Sequence, residues 1–263
     1  MKTYVRGGVG DFLQCLPYML QNKNNEYFIH THYSKAKEFF DEFENFNAKY
    51  FFFKDAQEHD AQVDEILSFC DPKITTNFKE CPRSFYFKLE FDKKVKEAAF
   101  YLAGSFKHVH KIIGIHPFGS DFSKNVYSKF NLPIKYIPPD VIKEVINNNP
   151  NYNYIVFGSK SDFSGYDLSE SDNIKFACFD NIVSSLACVN MCYKFIGTDS
   201  CFKTMSSSYG TKTYCLVGNF DDQTRDFYFI DQYVNDKVME IFKYSNLETQ
   251  KQEIINFFSN SIK

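Results

Sequence analysis

The chain has 263 residues, 44% of them hydrophobic and 24% charged, with a formal net charge of −3. That length suits one large or two moderate globular domains, and the slight acidity gives no global electrostatic footprint for nucleic acid. No run approaches the roughly 18 to 20 apolar residues of a membrane span, and Met1-Lys2-Thr3 opens a strand-like segment and not a secretory leader, so a soluble, cytoplasmic protein is expected.

Short apolar runs alternate with helix-like segments, the pattern of an α/β protein with parallel sheets. Residues 3–5, 27–29 and 50–53 read as strands, and 12–20 and 35–46 as helices. The second helix carries Phe39, Phe40, Phe43 and Phe46 on one face, a stripe that belongs to a core. From 55 to 110 the periodicity blurs, with helical character at 65–69 and 93–102. It restarts with strands at 111–115, 154–158, 174–179, 194–197 and 213–217, and with helices at 138–148, 181–189 and 200–209. Residues 247–258 form an amphipathic helix. The expected organisation is two doubly wound domains, 1–108 and 109–245, with 246–263 crossing back onto the first.

The eight cysteines form no CxxC pair and sit mostly in apolar segments, which points to buried thiols and not to disulfides or zinc. His30-x-His32 on a strand places two imidazoles on one face, but no third ligand has matching spacing, so no metal is expected. His108 and His110 fall at the proposed domain hinge and read as solvated.

Three segments carry chemistry. The first, Arg6-Gly7-Gly8-Val9-Gly10-Asp11, places glycines between a strand and a helix, where backbone turns tightly or approaches a ligand. It is not the dinucleotide fingerprint, since a frame from Gly8 meets Leu13 at its third glycine. Asp11 at the helix start equally suits an N-terminal cap. The second, His116-Pro117-Phe118-Gly119-Ser120 with Lys124, ends a strand with a hydroxyl and an ammonium suited to phosphate. It is not a P-loop, because Ser120-Asp121 stands where Lys and Ser/Thr belong. The third, Gly197-Thr198-Asp199-Ser200-Cys201-Phe202-Lys203-Thr204, passes from a strand into a helix whose free N–H groups favour an anion. Lys203 in the first turn is unfavourable there by roughly 0.3–1 kcal/mol, which a bound diphosphate would offset. Capping by Asp199 or Ser200 with an exposed Lys203 is the plainer alternative.

In this order and at these separations the segments resemble glycosyltransferase family 9, the ADP-heptose lipopolysaccharide heptosyltransferases. That family has a first-strand GxxGD turn, an HPGAS-like strand end followed by a lysine, and a late DSGxxHxAxAxGxPTVxLFG block. Here they stand as residues 7–11, as 116–120 with Lys124, and as 199–218, with the helix 181–187 also similar. The resemblance covers the first 20 residues and 111–218, and is poor between 55 and 110. Cys201 replaces the family glycine, Thr204 stands where it has histidine, and the first domain is short.

The resemblance implies a GT-B fold, two Rossmann-like domains facing across a cleft, the first binding acceptor and the second a nucleotide-diphospho-sugar donor. It implies an inverting transfer to a saccharide hydroxyl, of lipopolysaccharide core or capsule, with Asp11 as general base and neither metal nor cofactor. Gly10, Ser120, Lys124, Asp199, Ser200, Cys201, Lys203 and Thr204 would bind the donor and its phosphates. Arg6, Gly8, His116, Gly119 and Asp180, with Asn181 beside it, would line the cleft. Two other readings remain: transfer to hydroxymethylated bases of phage DNA, and a nucleotide-sugar-binding protein without catalysis.

Overall fold

The computed structural model describes residues 1–54, 56–68, 78–84, 86–119, 135–218, 238–244 and 247–263. The chain divides into two compact units, Met1–Phe87 and Lys88–Lys263.

The first unit is a parallel sheet of β1 (Lys2–Arg6), β2 (Glu26–Thr31), β3 (Ala48–Phe52) and β4 (Phe78–Glu80), in the order β3-β2-β1-β4. Helix α1 (Val9–Gln21) links β1 to β2, α2 (Ala36–Asp41) links β2 to β3, and α3 (Ala56–Ser68) precedes β4. The phenylalanine stripe is core as expected, with the Phe12 ring 4.9 Å from Phe40 and 5.8 Å from Phe39. Helix α2, however, stops at Asp41, five residues before the expected end. Asp41, Glu42 and Glu44 load the carbonyl end of that helix with negative charge, which its dipole disfavours. Phe46 stays buried from the loop beyond.

The second unit opens with α4 (Lys93–Gly104), capped by Asp92, whose Oδ1 accepts from the Val95 N–H at 2.8 Å. Its sheet is β5 (Ile112–His116), β6 (Asn153–Phe157), β7 (Ile174–Ala177), β8 (Lys194–Thr198), β9 (Lys212–Gly218) and β10 (Met239–Tyr244). All are parallel, in the order β10-β9-β8-β5-β6-β7. The helices are α5 (Pro139–Asn147), α6 (Lys160–Phe163), α7 (Ile182–Val189), α8 (Cys201–Ser208) and α9 (Lys251–Ile262). Both faces of this sheet are covered, so β6 and β8 bury every residue and each reads through its middle as a largely apolar run. On one face Ile113, Ile115, Tyr154, Val156 and Ile196 pack with Val141 and Val145 of α5 and with Ile254 and Phe258 of α9. On the other, the Phe157 ring lies 4.9 Å from Phe202 of α8 and 6.0 Å from Phe195.

Two observations bear on the expected organisation. The units separate at Phe87/Lys88, ahead of the expected 108/109, because α4 packs on α7 and because Tyr209 O–H donates to the Leu89 carbonyl at 2.6 Å. Helix α9, expected to pack back across the first domain, buries Ile254, Ile255, Phe258 and Ile262 along one face. It lays that face on α5 and β9, completing the second unit's own core.

Gly197 lets β8 approach β5 closely: a Cβ there would sit 2.6 Å from the His116 carbonyl oxygen. Gly197→Ala is therefore expected to lower the unfolding free energy by about 1–3 kcal/mol in urea titrations. Gly104→Ala, where a Cβ meets nothing within 4 Å, is expected to stay within about 0.5 kcal/mol of wild type.

Candidate functional site

A parallel sheet whose winding reverses leaves a crevice beyond the carboxyl ends of the two strands at the reversal. In the first unit the chain winds from β1 outward to β3 and then returns to the other side of β1 as β4. Beyond β1 the chain turns through Gly7, at φ 110°, where a side chain is strained in any case and a Cβ would lie 2.1 Å from Asp11 Oδ2. The Gly8 N–H then donates to that oxygen at 2.9 Å and Gly8 caps α1. Gly10 lies in the first turn of α1. From just past β4, Arg83 Nη1 donates to Asp11 Oδ1 at 2.6 Å. Arg83 Nη2 lies 3.6 Å from Glu80 Oε1, which also meets Arg6 Nε at 3.3 Å.

Asp11 thus does the ordinary work of a helix-start carboxylate and more. It bridges the ends of β1 and β4 while its side chain keeps 32% of its surface exposed. Neither Arg83 nor Glu80 stands out in the sequence: Glu80 ends a three-residue strand inside the blurred segment and Arg83 follows it.

In the second unit the winding runs from β5 out to β7 and reverses to β8, so the crevice falls between β5 and β8. Thr198 O–H donates across it to the Phe118 carbonyl at 2.9 Å. Asp199, the next residue, holds two cations, with Lys135 Nζ 2.8 Å from Oδ2 and Lys203 Nζ 2.6 Å from Oδ1. Burial opposes the charge on Asp199, but Lys135 and Lys203 outweigh it and hold the carboxyl well below the usual range. The Lys203 side chain is only 3% exposed. Its position near the positive end of α8 is thus supported by Asp199.

Ser200 Oγ accepts from the Lys203 N–H at 3.3 Å and caps α8. Thr204 O–H turns back onto the Ser200 carbonyl at 3.2 Å. Burial pushes the Cys201 thiol up to about 12, so it stays protonated and unreactive at neutral pH. His116 is buried with its ring 4.6 Å from Phe202, and Gly119 is buried just beyond.

Of the other anticipated residues, Ser120 and Lys124 lie outside the described residues. Asp180 sits in an exposed ion pair with Lys160 at 2.9 Å, beyond β7, which is three strands, about 14 Å, from β8. Asn181 caps α7, accepting from the Val183 N–H at 2.8 Å. Lys135 was missed, since a lone loop lysine gives no pattern to read.

Beside the first crevice, His30 of β2 shares a 2.7 Å hydrogen bond with the Tyr4 hydroxyl and stacks on His59, with centroids 4.5 Å apart. Burial, with a contribution from His59, pushes His30 down to about 4. The His32 ring lies against Gly8, its Cε1 3.1 Å from where a Cβ would stand.

Each unit thus places charged groups at the reversal of a parallel sheet, the position at which open α/β sheets generally receive ligands. The fold is similar to that of solved glycosyltransferase family 9 structures. Comparison with protein-family models and with curated proteins finds no match. Among solved structures, the chain is similar to ADP-heptose LPS heptosyltransferase II from E. coli, at TM-score 0.59 and 12% identity, covering 100% of this chain and 98% of that one. It is also similar to a glycosyl transferase family 9 protein from Veillonella parvula, at TM-score 0.54 and 13% identity, covering 96% and 89% respectively. Among the described residues no helix is long and apolar enough to cross a membrane.

These charges set two acid windows. The unfolded chain protonates His30 near pH 6.5, while the folded chain resists until about 4. Stability is therefore full above about 6.5 and falls as pH drops toward 4, by about 3 kcal/mol. Asp199, held low, adds stability present above about 3.9 and lost on further acidification. Urea midpoints measured against pH are expected to lose the first limb in His30→Gln and the second in Asp199→Asn.

Proposed function

We propose that the protein is an inverting glycosyltransferase that moves a sugar from a nucleoside-diphospho-sugar to a hydroxyl of a saccharide acceptor. The observation that carries this reading is Asp199 held between Lys135 and Lys203 beneath the start of α8. Two ammonium groups fixed at a crevice with free helix N–H groups suit a diphosphate leaving group. The fold shared with an ADP-heptose LPS heptosyltransferase favours ADP-heptose as the first donor to try and a lipopolysaccharide core as acceptor.

In this reading the two units supply complementary halves of one reaction. The acceptor oxygen attacks the anomeric carbon from the face opposite the diphosphate and forms the new glycosidic bond. The bond from that carbon to the diphosphate oxygen breaks, and its electron pair leaves with the diphosphate. The acceptor proton passes to Asp11. Each Asp11 oxygen already accepts one hydrogen bond, from Gly8 N–H or Arg83, and retains a lone pair for the acceptor hydroxyl. Arg83 keeps the carboxylate in place at the end of β1. Lys203, Lys135 and the first N–H groups of α8 take up the charge that develops on the diphosphate, and Ser200 and Thr204 order that turn. No step calls for a metal or an organic cofactor.

Asp11→Asn keeps the shape of the turn but removes the base. Its turnover with ADP-heptose and a lipopolysaccharide-core acceptor is expected to fall by about 10²- to 10⁴-fold while donor affinity stays within about twofold. Transfer near the wild-type rate overturns Asp11 as base. Donor binding without transfer or hydrolysis by the wild-type protein supports the non-catalytic reading, which the replacement of the family glycine and histidine by Cys201 and Thr204 favours.

A further inference from the structure

Helix α4 carries two faces of different chemistry. Val95 and Ala99 are buried, with Ala98 and Leu102 half-buried beside them, and this side packs on α7. The opposite side presents Lys93, Lys94, Lys96, Glu97, Phe100 and Tyr101 to solvent. Phe100 is 62% exposed and Tyr101 84% exposed. Among the described residues Phe52 and Phe100 are the only exposed phenylalanines, although the chain contains 31. General abundance of phenylalanine therefore does not account for Phe100, because the fold hides nearly all the others it describes. Val109, just beyond the helix, is fully exposed as well.

Charge gathers on the same stretch. Residues 88–111 hold six lysines against Glu90, Asp92 and Glu97, a net +3 in a chain of net −3. The ion pairs on and beside the helix are long and open to solvent, with Lys93 to Glu97 at 3.6 Å and Lys96 to Glu90 at 3.9 Å, while Lys107 beyond it pairs with Asp172 at 2.9 Å. Such pairs constrain the lysines little and are screened.

We propose that the outer face of α4 docks this protein on an anionic membrane surface. Lysines around exposed aromatic rings on a helix are the chemistry of interfacial binding: rings enter the headgroup boundary while ammonium groups meet lipid phosphates. A second copy of the chain suits the face poorly, since a symmetric pairing sets net positive charge against net positive charge. Nucleic acid suits it less well than lipid, because single strands are held in basic grooves and this is the convex side of a helix. The surface is independent of the sugar-transfer reading, which uses none of these residues.

The test is co-sedimentation of the full chain with vesicles of phosphatidylcholine containing about 30 mol% phosphatidylglycerol, and with phosphatidylcholine alone. Wild type is expected to bind the anionic vesicles at least about tenfold more tightly, and to lose most of that advantage in about 0.5 M salt. The double variant Phe100→Ser, Tyr101→Ser and the triple variant Lys93→Gln, Lys94→Gln, Lys96→Gln are each expected to bind at least about tenfold more weakly. Lys143→Gln with Lys251→Gln, on α5 and α9, is the control that leaves binding unchanged. All these residues are at the surface, and circular dichroism confirms that each variant is folded. Equal binding to both vesicle types, or anionic binding that survives both α4 variants, overturns the proposal. So does binding to single-stranded DNA that depends on α4 with none to vesicles, which would assign the face to nucleic acid.

Discussion

When a parallel sheet reverses its winding, the crossovers on either side of one strand pair leave in opposite directions, and the carboxyl ends of that pair stay uncovered. This happens once in each unit, at β1/β4 and at β5/β8. Backbone groups left open there need partners, and the sequence supplies charged side chains on short turns: Asp11 after the Gly7-Gly8 turn, Asp199 directly after β8. The rest of the candidate site follows from those two places. The helices that begin there, α1 and α8, each aim free N–H groups toward the crevice of their own unit, and the close approach of β8 to β5 at Gly197 sets how near those two strand ends lie.

The two carboxylates are held differently, and the difference suits different work. Asp11 takes one backbone N–H and one guanidinium and stays a third exposed, which leaves it able to meet a hydroxyl. Asp199 is clamped between two ammonium groups and held well below the usual carboxylate range, so it remains charged at any physiological pH. A group of the second kind does not exchange protons during a reaction. It positions Lys135 and Lys203, and it allows a lysine to stay almost wholly buried where the helix dipole disfavours it.

Much of the fold was legible in the sequence because buried parallel strands are continuous apolar runs. Tyr154-Ile155-Val156-Phe157 and Phe195-Ile196-Gly197 announce themselves without an alignment, and so do the strand-to-turn segments that follow β1 and β8. Three things were not legible. The unit boundary depends on α4 lying on α7, a tertiary contact that local periodicity does not encode. The seat of α9 on α5 and β9 is hidden for the same reason: an amphipathic stripe says that a helix packs, and not upon what. The partners of the two aspartates were also hidden. Arg83 follows a three-residue strand and Lys135 is a solitary loop cation, so neither belongs to a spaced pattern. The aromatic and basic face of α4 was in plain view as Lys-Lys-Val-Lys-Glu-Ala-Ala-Phe-Tyr, but only the burial of Val95 and Ala99 shows which side of it is left outside.

The central claim is that the crevice between β5 and β8 receives the diphosphate of a nucleotide-sugar through Lys135 and Lys203. Calorimetric titration of ADP into wild type and into Lys203→Met and Lys135→Met tests it directly, with urea titration to confirm that each variant is folded. The account predicts binding to wild type and a loss of at least about tenfold in each variant, as expected when a charge-assisted contact to phosphate is removed. ADP binding of wild-type strength in both folded variants would contradict it.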